Sequence, residues 1–206
     1  MAIIRLEDTY GVYYTSEEGT SAPLLREFME TNATYIWHYL KSKGWTMEAV
    51  AGLLGNAEVE SSLNPGRWQN DDVGNTSLGY GLVQWTPATN YLNWVGSNPN
   101  YMPNNLRRFE YEMNNNLQWI PTLQYNFSFK DYIKLTISPE HLASAWLKNY
   151  ERAGVEVELD RRARAKAWYE FLGDISPRPG IGRRSKFKWV LYARKLRGKI
   201  NKLRYY

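Results

Sequence analysis

The chain has 206 residues, 43 % of them hydrophobic, which is enough for one core of ordinary size, so a single domain with extensions is the first expectation. Mean hydropathy is −0.59 and no run of about 18 apolar residues occurs, which excludes a membrane-spanning helix. The absence of cysteine excludes disulfide frameworks, Cys-based zinc sites and Cys nucleophiles, and a net charge of +5 favours acidic partners without choosing among polymers, membrane surfaces and nucleic acid.

Met1 to Leu6 contains an arginine and no apolar stretch of useful length, so no Sec-type signal peptide is expected. Up to Glu30 the periodicity is weak. Ile3-Ile4, Val12-Tyr13-Tyr14 and the breaks at Gly11 and Gly19 predict short extended pieces, an N-terminal arm over 1–30 that either docks on a partner or packs loosely. From Thr31 the pattern turns helical, with Thr31 or Asn32 as cap and Tyr35, Ile36, Tyr39 and Leu40 on one face. Gly44 ends that helix. Thr46 caps the next, Glu48 complements its dipole, and Met47, Val50, Ala51 and Leu54 form its buried stripe. Asn64-Pro65-Gly66 closes it, and the turn-rich segment Gly66–Ser77 predicts loops or a short hairpin.

Helical spacing returns with Leu106, Phe109, Met113 and Leu117. Ser138-Pro139-Glu140 starts a helix that carries Leu142, Ala143, Trp146, Leu147 and Tyr150. A last helix carries Ala163, Ala167, Trp168, Phe171 and Leu172, with Gly173 in the C′ position. Ser176–Gly180 reads as a linker. From Arg178 to Tyr206 Lys and Arg abound without Asp or Glu, and Trp189, Leu196, Ile200 and Leu203 recur at helical spacing, a basic amphipathic helix for a partner or an anionic surface. The expected fold is α+β, mainly α, divided as arm 1–30, core domain 31–173 and extension 174–206.

The chemistry concentrates in Gly55-Asn56-Ala57-Glu58-Val59-Glu60-Ser61-Ser62-Leu63-Asn64-Pro65, where an apolar helix runs out into a loop with carboxylates at its exit. A carboxylic acid in an apolar, partly desolvated setting can act as a proton donor. On a helical wheel Glu58 falls nearly on the buried stripe, four residues after Leu54, and predicts a structural role tied to a donor. Glu60 lies to the side, near Leu53 and Ala57, free to lean into a cleft. The plain alternative is two ordinary helix-end glutamates. His38 and His141 lack metal-site spacing, no Gly-rich phosphate loop follows a strand, and nothing selects a specific nucleic acid, so neither metal nor cofactor is expected.

The pattern Gly55-Asn56-x-x-x-Glu60-Ser61-x-x-Asn64-Pro65 resembles the acid motif of the phage tail lysozymes and, more distantly, that of soluble lytic transglycosylases and goose-type lysozymes. Gly81-Leu82-Val83-Gln84-Trp85-Thr86-Pro87 resembles the Gly-Leu-x-Gln-x-x-Pro segment lining the sugar cleft of the same enzymes, and Trp146-x-x-Asn149-Tyr150-Glu151-Arg152-Ala153 with Arg161, Arg162 and Arg164 resembles the closing helices of the phage group. Gly79-Tyr80-Gly81-Leu82 in place of Gly-Ala-x-Gly-Leu, and Trp85 in place of an aliphatic residue, bring it nearer the phage group. The resemblance spans about Thr31–Leu172. It implies a two-lobed lysozyme-like domain with a central cleft, acting on peptidoglycan glycan strands from a phage virion or tail tip, with the segments 1–30 and 178–206 binding other tail proteins. It implies Glu60 as general acid at the N-acetylmuramic acid–N-acetylglucosamine link, Ser61 and Gln84 bonding sugar or orienting Glu60, and Tyr80, Trp85 and Trp68 stacking on glycan. Asp71 or Asp72 becomes the candidate second carboxylate, or else a turn former, and Glu151 the partner of a last-helix arginine. Without a second carboxylate, ring closure to a 1,6-anhydro product is the expected chemistry.

Overall fold

The structure is a computed structural model that describes residues 2–152 and 158–176. The chain divides into two units, Met1–Leu172 and Gly173–Tyr206. Of the extension expected over 174–206, residues 177–206, with the basic helix and all but the first residue of the linker, lie outside the described residues. Within the first unit an antiparallel hairpin, β1 (Ile3–Asp8) and β2 (Gly11–Ser16), precedes the helices. These are α1 (Arg26–Ser42), α2 (Met47–Ser61), α3 (Thr89–Val95), α4 (Met102–Asn114), α5 (Phe129–Tyr132) and α6 (Pro139–Trp146), the last continued by a π-helical turn, Leu147–Glu151. Helix α7 spans Glu158–Ile175. The fold is therefore α+β and mainly α. No helix among the described residues is long and apolar enough to cross a membrane.

Helix α2 is the centre. Thr46 accepts the Ala49 N–H at 3.2 Å as expected of a cap, and every residue from Ala49 to Ala57 is buried. A helix buried all round must let its neighbours approach its backbone. Gly52 and Gly55 allow this: a Cβ at Gly52 would lie 2.9 Å from the Leu142 side chain on α6, and one at Gly55 would lie 2.5 Å from the Arg161 carbonyl on α7. Asn56 adds a bond from its side-chain amide to the Ala143 carbonyl of α6 at 3.1 Å. The buried aromatic cluster Trp45, Phe109, Phe129, Tyr132 and Trp146 forms a second part of the core.

Several expectations need correction. Helix α1 starts at Arg26, so Thr31 and Asn32 are interior. Asn32 is fully buried, and its side chain bonds both the N–H and the C=O of Tyr14 on β2, and also the Leu63 carbonyl. The N-terminal arm is thus packed on its own domain: Tyr14 stacks on Phe28 at 4.2 Å and Tyr13 meets Tyr35 at 5.0 Å. On α7 the buried stripe is Arg161, Ala165, Trp168 and Leu172. Ala163 and Ala167 face solvent, and Gly173 is inside the helix rather than beyond it. Leu117 lies beyond the end of α4 and is 40 % exposed.

Candidate active site

The three motif segments are brought together by side chains that hold backbone. Ser61, at the end of α2, donates to the Leu82 carbonyl at 2.8 Å, and Asn105 of α4 accepts the Leu82 N–H at 2.9 Å. The second segment is thereby clamped between α2 and α4. Asn64 clamps the first segment to the hairpin: its oxygen accepts the N–H of Ser16 and of Gly66, and its amide donates to Ser16 Oγ and the Ala22 carbonyl. The third segment joins through Glu112, which is 1 % exposed. Glu112 accepts from Arg108 Nε at 2.8 Å, Trp85 Nε1 at 3.0 Å and the Tyr150 hydroxyl at 2.5 Å. Burial raises its carboxyl above the usual range, partly offset by these three donors. No sequence signal singled out Glu112 or Asn105, because their partners lie far along the chain.

Glu58 takes the structural place its wheel position predicts. Its side chain is 9 % exposed, paired with Arg164 and Arg26, and it accepts Trp168 Nε1 at 2.8 Å. Arg26 also lies 4.0 Å over the Trp168 ring, so this cluster ties α1, α2 and α7 together. Glu60 has different surroundings from those expected. Its setting is ionic rather than apolar: Arg161 Nη2 of α7 lies 2.5 Å from its Oε1, and the Arg161 side chain is 4 % exposed. Arg161 Nη1 is held by Asn56 Oδ1 at 3.1 Å, so the acid motif itself aims the guanidinium. The Glu60 side chain keeps 21 % of its surface exposed.

Among the described residues Glu151 is in no ion pair with an arginine of α7: Arg161 goes to Glu60, and Arg164 to Glu58 and Asp160. Glu151 accepts instead from Trp146 Nε1 at 2.9 Å. Its carboxyl is pushed up to about 8, first by burial and then by the charge of Glu60, against the opposing pull of the Trp146 N–H and of Arg161. Glu151 closes the π-helical turn, in which the Arg152 N–H bonds the Leu147 carbonyl at 2.7 Å, and Arg152 itself is left-handed at φ 56°.

The residues proposed to line a sugar cleft divide. Tyr80 and Trp85 are 3 % and 4 % exposed, so neither offers a ring face to glycan. Trp85 stacks on Tyr91 at 4.6 Å, and Tyr80 meets the edge of Trp68 at 4.7 Å. Both are core residues of the clamp, and glycan stacking is not their role. Ser61 is 2 % exposed, with its hydroxyl turned to the Ala57 and Leu82 carbonyls. Gln84 donates to the Arg67 and Gly81 carbonyls, while its buried Oε1 has no protein partner. Trp68 is half-buried. Asp71 pairs with Arg67 and accepts from Ser21 Oγ at 2.6 Å, and Asp72 accepts from Asn75 at 2.8 Å, the turn chemistry of the loop. Among the described residues neither is joined to Glu60, Glu151 or Arg161 by a hydrogen bond or ion pair. A small cavity bounded by Met113, Trp119 and Phe129 contains none of the candidate residues.

Residues 31–172 match the family model for phage tail lysozyme. The chain belongs to the phage tail lysozyme family. It is also 46 % identical over 155 residues to Morphogenesis protein 1 of Bacillus phage B103, a match covering 74 % of this chain and 42 % of that relative. The chain thus corresponds to less than half of that relative's length. The hairpin β1–β2 precedes the matched family region, yet Asn64 of the acid motif holds it, so it acts as an addition to the family domain.

Proposed function

We propose that the domain is a glycosidase that cuts the N-acetylmuramic acid–N-acetylglucosamine bond of peptidoglycan, with Glu60 as general acid. We place it in the phage virion, at the tail tip, where it opens the wall for genome entry. The observation that supports this most is the contrast within the acid motif of a lysozyme-family domain. Glu58 is sealed by Arg164 and Trp168, whereas Glu60, two residues on, keeps 21 % of its side chain in solvent. Glu60 gives its proton to the bridging oxygen, the bond from that oxygen to the anomeric carbon breaks, and the departing sugar leaves with a hydroxyl. Water then bonds to the anomeric carbon and gives up a proton, which returns to the Glu60 carboxylate. In the transglycosylase alternative the sugar's own 6-hydroxyl takes the place of that water. Neither route needs a metal or a cofactor. Of Tyr80, Trp85 and Trp68, Trp68 keeps the ring surface that could stack on glycan. Contacts with other tail proteins are proposed for the exposed side of β1 and for residues 178–206.

Glu60→Gln tests the reading. Glutamine still accepts a bond from Arg161, so the substituted protein should fold and still pellet with purified peptidoglycan, while its release of soluble wall fragments falls by about 10²- to 10⁴-fold. Equal clearance by the substituted protein rejects Glu60 as the acid. A parent protein that pellets with wall but never cuts it supports the non-enzymatic alternative, a structural tail component that binds glycan. Mass spectra of the released muropeptides separate hydrolysis, with reducing ends, from transglycosylation, with anhydro ends.

A further inference from the structure

We propose that the outer edge of β1 pairs with the same strand of a second copy of this chain, antiparallel, with Arg5 opposite the partner's Glu7 and Leu6 opposite the partner's Leu6. This does not depend on the reading of Glu60 as the acid.

The two edges of the hairpin are finished differently. Along an antiparallel strand the backbone groups of one residue face the neighbouring strand and those of the next face away. The register Ile3↔Ser16 to Asp8↔Gly11, with the Glu17 N–H bonded to the Ala2 carbonyl at 2.8 Å, turns Ile4, Leu6 and Asp8 towards β2 and leaves Ile3, Arg5 and Glu7 facing outward. On β2 the outward groups of Tyr14 and Ser16 are all taken by buried asparagines. Asn32 bonds the N–H and the C=O of Tyr14 at 2.7 and 2.8 Å, Asn64 accepts the Ser16 N–H at 3.1 Å, and Asn100 donates to the Ser16 carbonyl at 2.9 Å. That side of the sheet is closed to a further strand.

The β1 side is open. The outward N–H and C=O groups of Ile3, Arg5 and Glu7 have no hydrogen-bond partner among the described residues. β1 packs chiefly on β2, and the Arg5 and Glu7 side chains are 53 % and 62 % exposed. Natural proteins guard such edges with lysine, proline or a bulge. The strand Ile3-Ile4-Arg5-Leu6-Glu7-Asp8 has none of the three, and its register with β2 is continuous.

Charge selects both the occupant and the register. Outward residues pair with outward residues, so Arg5 can stand opposite the partner's Ile3, Arg5 or Glu7. The Ile3 register leaves the arginine unmatched. The Arg5 register sets like charges face to face, which is unfavourable. The Glu7 register makes two Arg–Glu pairs about a two-fold axis and puts Leu6 on that axis, in a non-hydrogen-bonded pair where side chains approach most closely. Arg5 and Glu7 already lie 2.9 Å apart on their own strand, so the four charges alternate around a square. A patch that complements itself in this way is what a two-fold interface between identical chains requires. Leu6, half-buried and across the register from the buried Tyr13, becomes covered. The pairing uses the edge of the strand and leaves the face that carries Arg5 and Glu7 to other contacts. An interface one strand pair wide is small, so the association is weak.

The test uses the full chain. Sedimentation between about 1 µM and 1 mM should show the mass rising from 24.1 kDa towards twice that value. Arg5→Glu and Glu7→Arg each set like charges opposite one another and should weaken association by about 10-fold or more. Combining the two restores both pairs and should bring association back to within about 3-fold of the parent. Both residues are exposed, so these variants should fold as the parent does. The chain has no cysteine, so Leu6→Cys reports the register directly. Its two thiols sit on the axis with Cα atoms about 4.5 Å apart, within disulfide reach. A disulfide between copies should form at least about 10-fold faster than in Ile3→Cys, whose thiols the register holds about 20 Å apart. A parent that stays monomeric at every concentration overturns the proposal and gives the edge to a strand of another protein. A dimer that survives both single charge reversals, or that links equally through Ile3→Cys and Leu6→Cys, overturns it as well.

Discussion

Gly55→Ala puts the arrangement of α2 and α7 to a direct test. The added Cβ would lie 2.5 Å from the Arg161 carbonyl, 2.7 Å from the Ala165 nitrogen and 2.8 Å from the Ala165 Cβ. Ordinary contact begins near 3.4 Å, so α7 has to retreat by about 0.9 Å. The nearest atoms are backbone and cannot rotate aside. Two effects oppose each other. Alanine favours the helix by about 1 kcal/mol over glycine. Overpacking costs about 1–3 kcal/mol, and withdrawing α7 loosens Ala165, Trp168 and Leu172, all fully buried. Because the struck atoms are backbone, the overpacking cost falls at the upper end, about 3 kcal/mol, so the packing loss wins and a net destabilisation of about 2 kcal/mol remains. For a domain of this size that lowers the melting temperature by about 4–8 °C. The site is affected too, because the residue whose carbonyl is struck is the one whose guanidinium holds Glu60. Calorimetry with a parallel peptidoglycan assay measures both. Gly74→Ala is the control: nothing lies within 4 Å of its Cβ, so only its left-handed φ of 86° is strained. A Gly55→Ala protein melting at or above the parent temperature refutes the close contact between α2 and α7.

Stability should depend on pH in an unusual direction for a carboxylate. The folded Glu151 holds its proton up to about 8, from an ordinary value of 4.5, so the native state binds a proton that the unfolded chain releases. Its contribution is therefore fully present below about 4.5 and is lost as pH rises through 8, by a few kcal/mol. Urea midpoints between pH 5 and 8 should fall more steeply in the parent than in Glu151→Gln, and parallel slopes reject the assignment. Glu112→Ala should cost about 3–5 kcal/mol, since it strands the Arg108 charge and the donors on Trp85 and Tyr150; a loss below about 1 kcal/mol in denaturant titration contradicts the hub. Asp71→Asn and Asp72→Asn should each keep wall-clearing rates within about 3-fold of the parent, because their partners are Arg67, Ser21 and Asn75. A larger loss in turbidity assays returns one of them to candidacy as the second carboxylate.

Much of this was written locally and could be read locally. Thr46 and Ser138 cap the helices they were expected to cap, at 3.2 Å each, because a cap is decided within three residues. The different fates of Glu58 and Glu60 followed from the helical wheel, since two residues on a helix differ by about 200° of rotation. Asn32 misled, because its capping chemistry is the same chemistry that clamps a hairpin, and only tertiary contact distinguishes the two uses. Helical spacing along α7 suggested Ala163 and Ala167, whereas a buried arginine, Arg161, occupies the stripe, and hydrophobicity cannot announce a buried charge.

The sequence alone determined the caps of α2 and α6, the order of the three motifs and which of the two motif glutamates is the less enclosed. Tertiary structure decided what that carboxylate faces. Glu60 meets an arginine 101 residues away, Trp85 turns its ring to the core, and Glu151 is raised by burial and by a neighbour on another helix. The reason is one of range. Propensity and capping act over three or four residues, while desolvation and charge act through space, and only the folded chain fixes which groups share it.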